Sequence, residues 1–142
     1  MWDVLTGQEL KKFDGHSESI SAIILSFDGR YLFTGSCDTT ARMWDVQTGE
    51  ELKKFRRHSS YIRAIAVSLD GKYLFTGSDD ATVRLWDVET TQDFKKFTGH
   101  LNHIKAISVS SDGKYLFTGS WDKTARIWDV ETEKELKKFG VF

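Results

Sequence analysis

The tripeptide Trp-Asp-Val occurs at Trp2, Trp44, Trp86 and Trp128, each copy 42 residues from the last with no insertion between. Strict self-similarity at such a period means that one structural unit is repeated, and no residue can be given a role until that unit is known. His16, His58 and His100 keep the same register, as do Asp38, Asp80 and Asp122, and Asp28, Asp70 and Asp112, each followed by Gly. The longest shared phrase reads YLFTGSCDTTARMWDV from Tyr31, YLFTGSDDATVRLWDV from Tyr73 and YLFTGSWDKTARIWDV from Tyr115. A period near 42 suits either a four-stranded unit or a pair of packed helices.

Local patterning decides for strands. Ile62 to Ser68 reads IRAIAVS and Ile104 to Ser110 reads IKAISVS, short β-branched runs with rough alternation that lead into an Asp-Gly turn. KYLFTGS follows, then a polar turn, then TARIWDV, which adds two more strands. The fourth element is KELKKF (Lys134 to Phe139), with counterparts at Gln92 to Phe97, Glu50 to Phe55 and Gln8 to Phe13. Read alone it suits a helical turn, because Glu, Leu and Lys are good helix formers. Its brevity and its place between turn signals favour an outer strand instead. The paired lysines (Lys11 and Lys12, Lys53 and Lys54, Lys95 and Lys96, Lys137 and Lys138) fit a solvated sheet edge, where charge discourages further pairing. The expectation is an all-β chain of three four-stranded antiparallel units plus one extra N-terminal strand.

Gly15-His16 and Gly99-His100 near the start of a unit, with Trp-Asp near its end, make the chain similar to the WD40-repeat β-propellers over essentially its whole length. Unit two departs from the pattern, with Arg57-His58 in place of Gly-His. The array then divides into a partial repeat at 1–15 and blades at 16–57, 58–99 and 100–142. The resemblance implies a hydrogen-bond chain inside each blade. Its members would be Trp44, Thr34 or Ser36, His16 and Asp38; then Trp86, Thr76 or Ser78, His58 and Asp80; then Trp128, Thr118 or Ser120, His100 and Asp122. A buried indole N–H, hydroxyl or imidazole left without a partner costs about 1–3 kcal/mol, which is a reason to link them.

His, Asp and a hydroxyl are also the residue types of a hydrolase triad, but an active site needs one constellation and these recur in every unit. The pair His100 and His103 is a weak metal signal, so no metal, cofactor or enzymatic activity is expected. A net charge of -1 gives no electrostatic reason for nucleic acid or an anionic membrane as a partner. No apolar run has the length of a signal peptide or membrane span, and the chain opens without a basic segment. Cys37 stands alone, which rules out an internal disulfide. These features together give an expectation of an intracellular, cytoplasmic protein.

Three blades cannot close on themselves, and an open arc leaves two apolar blade faces in water. Homo-oligomerisation is the expected answer, giving six blades from a dimer or nine from a trimer, favoured by the initial Met and the spare outer strand. A piece of a longer propeller and a designed or recently amplified repeat are the alternatives. The spare strand, Gln8 to Phe13, would compete with Lys134 to Phe139 for one blade edge. By resemblance the function is a non-enzymatic protein-interaction scaffold; the rival is a self-assembling repeat with no partner but itself. Residues that differ between the units define a candidate interaction face for a peptide or protein: Ser19, Tyr61 and His103; Ser21, Arg63 and Lys105; Cys37, Asp79 and Trp121. Ordinary variation between repeats explains any one of these equally well.

Overall fold

The computed structural model describes residues 1–140, which form twelve strands in three four-stranded antiparallel sheets. Blade 1 is β1 (Ile20–Leu25), β2 (Tyr31–Ser36), β3 (Thr40–Asp45) and β4 (Glu51–Arg56). Blade 2 is β5 (Ile62–Val67), β6 (Tyr73–Ser78), β7 (Val83–Asp87) and β8 (Asp93–Phe97). Blade 3 is β9 (Ile104–Val109), β10 (Tyr115–Ser120), β11 (Thr124–Asp129) and β12 (Glu135–Gly140). Each sheet is a meander whose strands pair in sequence order. Residues 141 and 142, the end of the third blade as divided from sequence, lie outside the described residues.

Turn chemistry explains why the chain reverses where it does. After β1, Ser26 Oγ donates to Asp28 Oδ1 at 2.6 Å, the Arg30 amide donates to the same oxygen at 3.0 Å, and Gly29 takes a φ of 70°. Ser68-Asp70-Gly71 and Ser110-Asp112-Gly113 repeat the arrangement. The fourth segment is a strand, not a helical turn, because its amides and carbonyls find a ladder on the third strand: Arg42 faces Lys54 and Met43 faces Lys53.

The hydrophobic core lies between sheets. Phe33, Met43 and Phe55 of blade 1 pack with Ile62 and Ile65 of blade 2, and Phe75, Leu85 and Phe97 of blade 2 pack with Ile104 of blade 3. Glycine makes the close approach possible: a Cβ on Gly35 would lie 2.6 Å from Cγ2 of Ile62, and one on Gly77 would lie 2.6 Å from Cγ2 of Ile104. The two ends of the arc lack this cover. Phe33 and Phe75 are each 1% exposed, while the same position in blade 3, Phe117, is 40% exposed.

One expectation needs correction and another needs extending. Gln8 to Phe13 does not form a thirteenth strand. Trp2 and Glu9 make an isolated bridge, supported by the Asp3 amide on the Gln8 carbonyl and the Leu10 amide on the Met1 carbonyl, both at 2.9 Å. The register is that of Trp44 with Glu51 and Trp128 with Glu135, but pairing stops at the one bridge and does not extend into a ladder. The lysine pairs of β4, β8 and β12 do lie on outer sheet edges, as expected, but the first lysine of three of the four pairs also finds a partner. Lys95 Nζ donates to the carbonyls of Val130 at 2.7 Å and Glu131 at 2.6 Å, Lys53 to that of Glu89, and Lys11 to that of Gln47. The first lysine of each of these pairs therefore ties its outer segment to the next blade.

Candidate functional site

Each blade contains the same three-link chain. In blade 1, Trp44 Nε1 donates to Thr34 Oγ1 at 2.9 Å, His16 Nε2 lies 2.8 Å from the same hydroxyl, and His16 Nδ1 lies 2.7 Å from Asp38 Oδ2. The corresponding distances are 2.8, 2.7 and 2.6 Å for Trp86, Thr76, His58 and Asp80. For Trp128, Thr118, His100 and Asp122 they are 2.9, 2.7 and 2.7 Å. Arg57 in place of glycine leaves the blade 2 chain intact. Because the threonine hydroxyl has one proton to give, it donates to the histidine while accepting from the indole, and the other imidazole nitrogen then donates to the carboxylate.

Of the two hydroxyls that sequence left open, threonine is the one in the chain. Serine bonds elsewhere. Ser36 Oγ reaches the carbonyls of Glu18 at 3.2 Å and Ser19 at 3.0 Å, Ser78 that of Ser60, and Ser120 that of Asn102. The Asp38 amide donates to Ser36 Oγ at 3.0 Å, and the Asp80 and Asp122 amides do the same to Ser78 and Ser120. The serine thus joins the loop that enters each blade to the turn after its second strand. Burial opposes ionisation of Asp38, but hydrogen bonds from Thr40 and His16 outweigh it and hold its pKa well below the usual carboxylate value. Asp80 behaves alike through His58 and Thr82, and Asp122 through Thr124 and His100. Burial pushes His100 down against the pull of Asp122.

Above this framework lie the positions where the units differ. The Cys37 amide donates to the Ser19 carbonyl at 2.9 Å, Asp79 to Tyr61 at 2.9 Å, and Trp121 to His103 at 3.0 Å, so backbone pairing sets the two variable loops side by side in every blade. Asp79 is the hub of the resulting cluster. Arg63 Nε donates to its Oδ2 at 2.9 Å, Lys105 Nζ lies 3.5 Å from Oδ1, and His103 Nδ1 lies 2.9 Å from its carbonyl oxygen. Burial raises the Asp79 carboxyl, but Arg63, Lys105 and His103 together hold it lowered. The Arg63 guanidinium lies 5.1 Å from the Tyr61 ring, and Lys105 Nζ lies 3.9 Å from the centre of Trp121, which also meets His103 edge-on. Arg63 Nη1 approaches Cys37 Sγ at 3.8 Å, linking blade 1 to the group.

Tyr61, Arg63, Asp79, His103, Lys105, Trp121 and Cys37 are thus brought together, and Ser19 sits beside Cys37. Ser21 is turned away from them, its hydroxyl bonded to the carbonyls of Gly35 and Ile62 at the blade junction. Asp79 is the residue whose importance the sequence understated; only its position between two basic side chains of neighbouring blades reveals it. Among the described residues no group of three or more His, Cys, Asp or Glu is placed to hold a metal ion.

The repeats match a known family model. The model described as WD domain, G-beta repeat matches residues 7–45, 49–87 and 92–129. The chain belongs to the WD40 family. The second and third matches begin at the outer strand of one blade and end at the Trp-Asp of the next, so the sequence repeat straddles the junction where the core lies. WD40 repeats generally mediate protein–protein interaction or scaffolding. A search of the curated proteins finds no match. Among solved structures, this WD40 chain is similar to those titled "Structure of U3-55K" and "Crystal structure of RRP9 WD40 repeats", each with a TM-score of 0.86 and 25% sequence identity. Both alignments cover 91% of this chain and 41% of the other, so the chain spans less than half the length of these structural relatives.

Proposed function

We propose that this chain is a non-enzymatic interaction scaffold whose first partner is a second copy of itself, blade 3 of one copy packing head to tail on blade 1 of the next until a ring closes. A dimer would give six blades and a trimer nine. The observation that carries this reading is the match between the two open ends. Gly35 and Gly77 form sockets filled by Ile62 with Ile65 and by Ile104 with Ile107, whereas an added Cβ on Gly119 would meet only Ala106, at 3.7 Å. The isoleucines in the corresponding positions, Ile20 and Ile23, are 48% and 67% exposed at the other end of the arc. One end offers an empty socket and the other the side chains that fill it. Such a heterologous contact closes when the rotation per copy divides a full turn.

Native mass spectrometry tests this directly. Particles of two or three copies that fall apart in Ile23→Glu and in Phe117→Glu support the reading. A monomer at tens of micromolar would overturn it and assign the open faces to blades from elsewhere.

A second reading is supported by the Asp79 cluster. The 61% exposed Trp121, capped by Lys105 and linked through Asp79 to Arg63, offers an aromatic and basic docking surface of the kind enriched at binding hot spots. Its ligand would be a peptide or protein segment. A peptide array on which Trp121→Ala and Arg63→Ala bind as the parent does would count against it.

A further inference from the structure

We infer that the outer seat on blade 1, now held by the chain's own N-terminal hairpin, is the receiving site for β12 of a second copy. This rests on the head-to-tail reading above and names what must move for it to occur. The hairpin occupies the position that an outer strand takes at the two internal junctions. Phe13 meets Trp44 edge-on with ring centres 6.1 Å apart, as Phe55 meets Trp86 at 5.7 Å and Phe97 meets Trp128 at 6.0 Å. Lys11 reaches the Gln47 carbonyl as Lys53 reaches that of Glu89 and Lys95 that of Glu131. Contact is close enough to exclude a second chain: an added Cβ on Gly49 would lie 3.0 Å from Cδ of Lys11.

The fourth copy of this Lys-x-Phe pattern is Lys137 and Phe139 on β12. Phe139 is half exposed, and Lys137 Nζ lies 5.2 Å from its ring with no neighbouring carbonyl within reach among the described residues. A second copy docked through its blade 3 brings that pair to the same Trp44 ring and Gln47 carbonyl. Both hairpins cannot sit there. The N-terminal one is held by the bridge between Trp2 and Glu9 and a few backbone bonds between residues 1–3 and 7–11, whereas β12 is laddered to β11 from Thr124 to Trp128 and arrives with a whole blade. Exchange replaces one lysine bond and one aromatic contact by their equals, so the gain comes from burial of the rest of the blade 3 face. The hairpin is a competitor that lowers the apparent affinity of the ends for each other by the fraction of time it is seated.

The test uses the full chain. In Lys11→Ala/Phe13→Ala the concentration at half-association, read by native mass spectrometry, should fall at least about fivefold, because the competitor is weakened. In Phe139→Ala it should rise about tenfold or more, a loss of an aromatic anchor. Trypsin should cut after Lys11 and Lys12 faster in the associated particle than in the monomer. Lys11→Ala alone, which leaves Phe13 on Trp44, should shift association in the same direction by less, and keeps the test open if the double variant unfolds. Particles that form through Ile23 and Phe117 but ignore the Lys11 and Phe13 changes, with the hairpin equally protected, overturn the exchange and leave the ring reading standing. Monomers in every variant overturn both.

Discussion

Blades 2 and 3 share almost the same words but not the same surroundings. Phe75 and Phe117 close the same second-strand position, and only Phe75 has a further blade packed against it. The hydrogen-bond chains, by contrast, are the same to within 0.1 Å in the two blades. The lesson is a division of labour: the Trp-Thr-His-Asp chain is completed within a blade, whereas apolar burial is completed by the neighbour. A blade can be internally well ordered and still carry an unsatisfied face.

The largest expected difference between the blades comes from the core. Phe75→Ala should cost about 3–5 kcal/mol in denaturant unfolding, while Phe117→Ala in the monomer should cost a small part of that, since a half-exposed ring leaves little cavity. If the two cost the same, blade 3 is covered by something, and the comparison breaks. Measured in an associated particle, Phe117→Ala should rise toward the Phe75 value.

The polar chain should show no such asymmetry. Thr76→Val and Thr118→Val each leave an indole and an imidazole short of a partner, and each should cost about 1–3 kcal/mol. Unequal losses, followed by local hydrogen exchange in the two blades, would show that the chain also depends on the neighbour.

Acidification probes the chain without mutation. The folded pKa of His100 is lowered from 6.5, so the unfolded state takes up the proton first and stability should fall as pH drops through the range around 6.5 and below. Asp38, Asp80 and Asp122 are also lowered from 3.8, so the stability they add is intact above that value and is lost as pH falls beneath it. Unfolding midpoints measured from pH 8 to pH 3 should show two steps. In His100→Gln the upper step should shrink and the lower one persist through Asp38 and Asp80. A flat profile down to pH 4 in the parent chain would remove His100 from the account.

The strand order, the turns and the participation of Trp, His and Asp were legible in the sequence because they are local or are repeated at one spacing. The choice of Thr34 over Ser36 was not. Two residues apart on a strand they face the same way, and only the distance to Trp44 and His16 separates a link in the chain from a tie to the Ser19 loop. Gln8 to Phe13 misled because its words match three true strands while pairing, which local words do not record, is limited here to one bridge with Trp2. The edge position of the lysines was legible, but the destination of Lys11, Lys53 and Lys95 was not, since it is a carbonyl about 36 residues further on, in the turn after the next third strand, which no local pattern records.

By itself the sequence determined the blade: its period, its four extended segments and its turns follow from side-chain chemistry within one repeat. Tertiary structure decided which copies of the same residue are buried, since Phe33, Phe75 and Phe117 differ only in whether another blade lies against them. Apolar burial is a relation between surfaces, and a repeat cannot encode the presence of its neighbour.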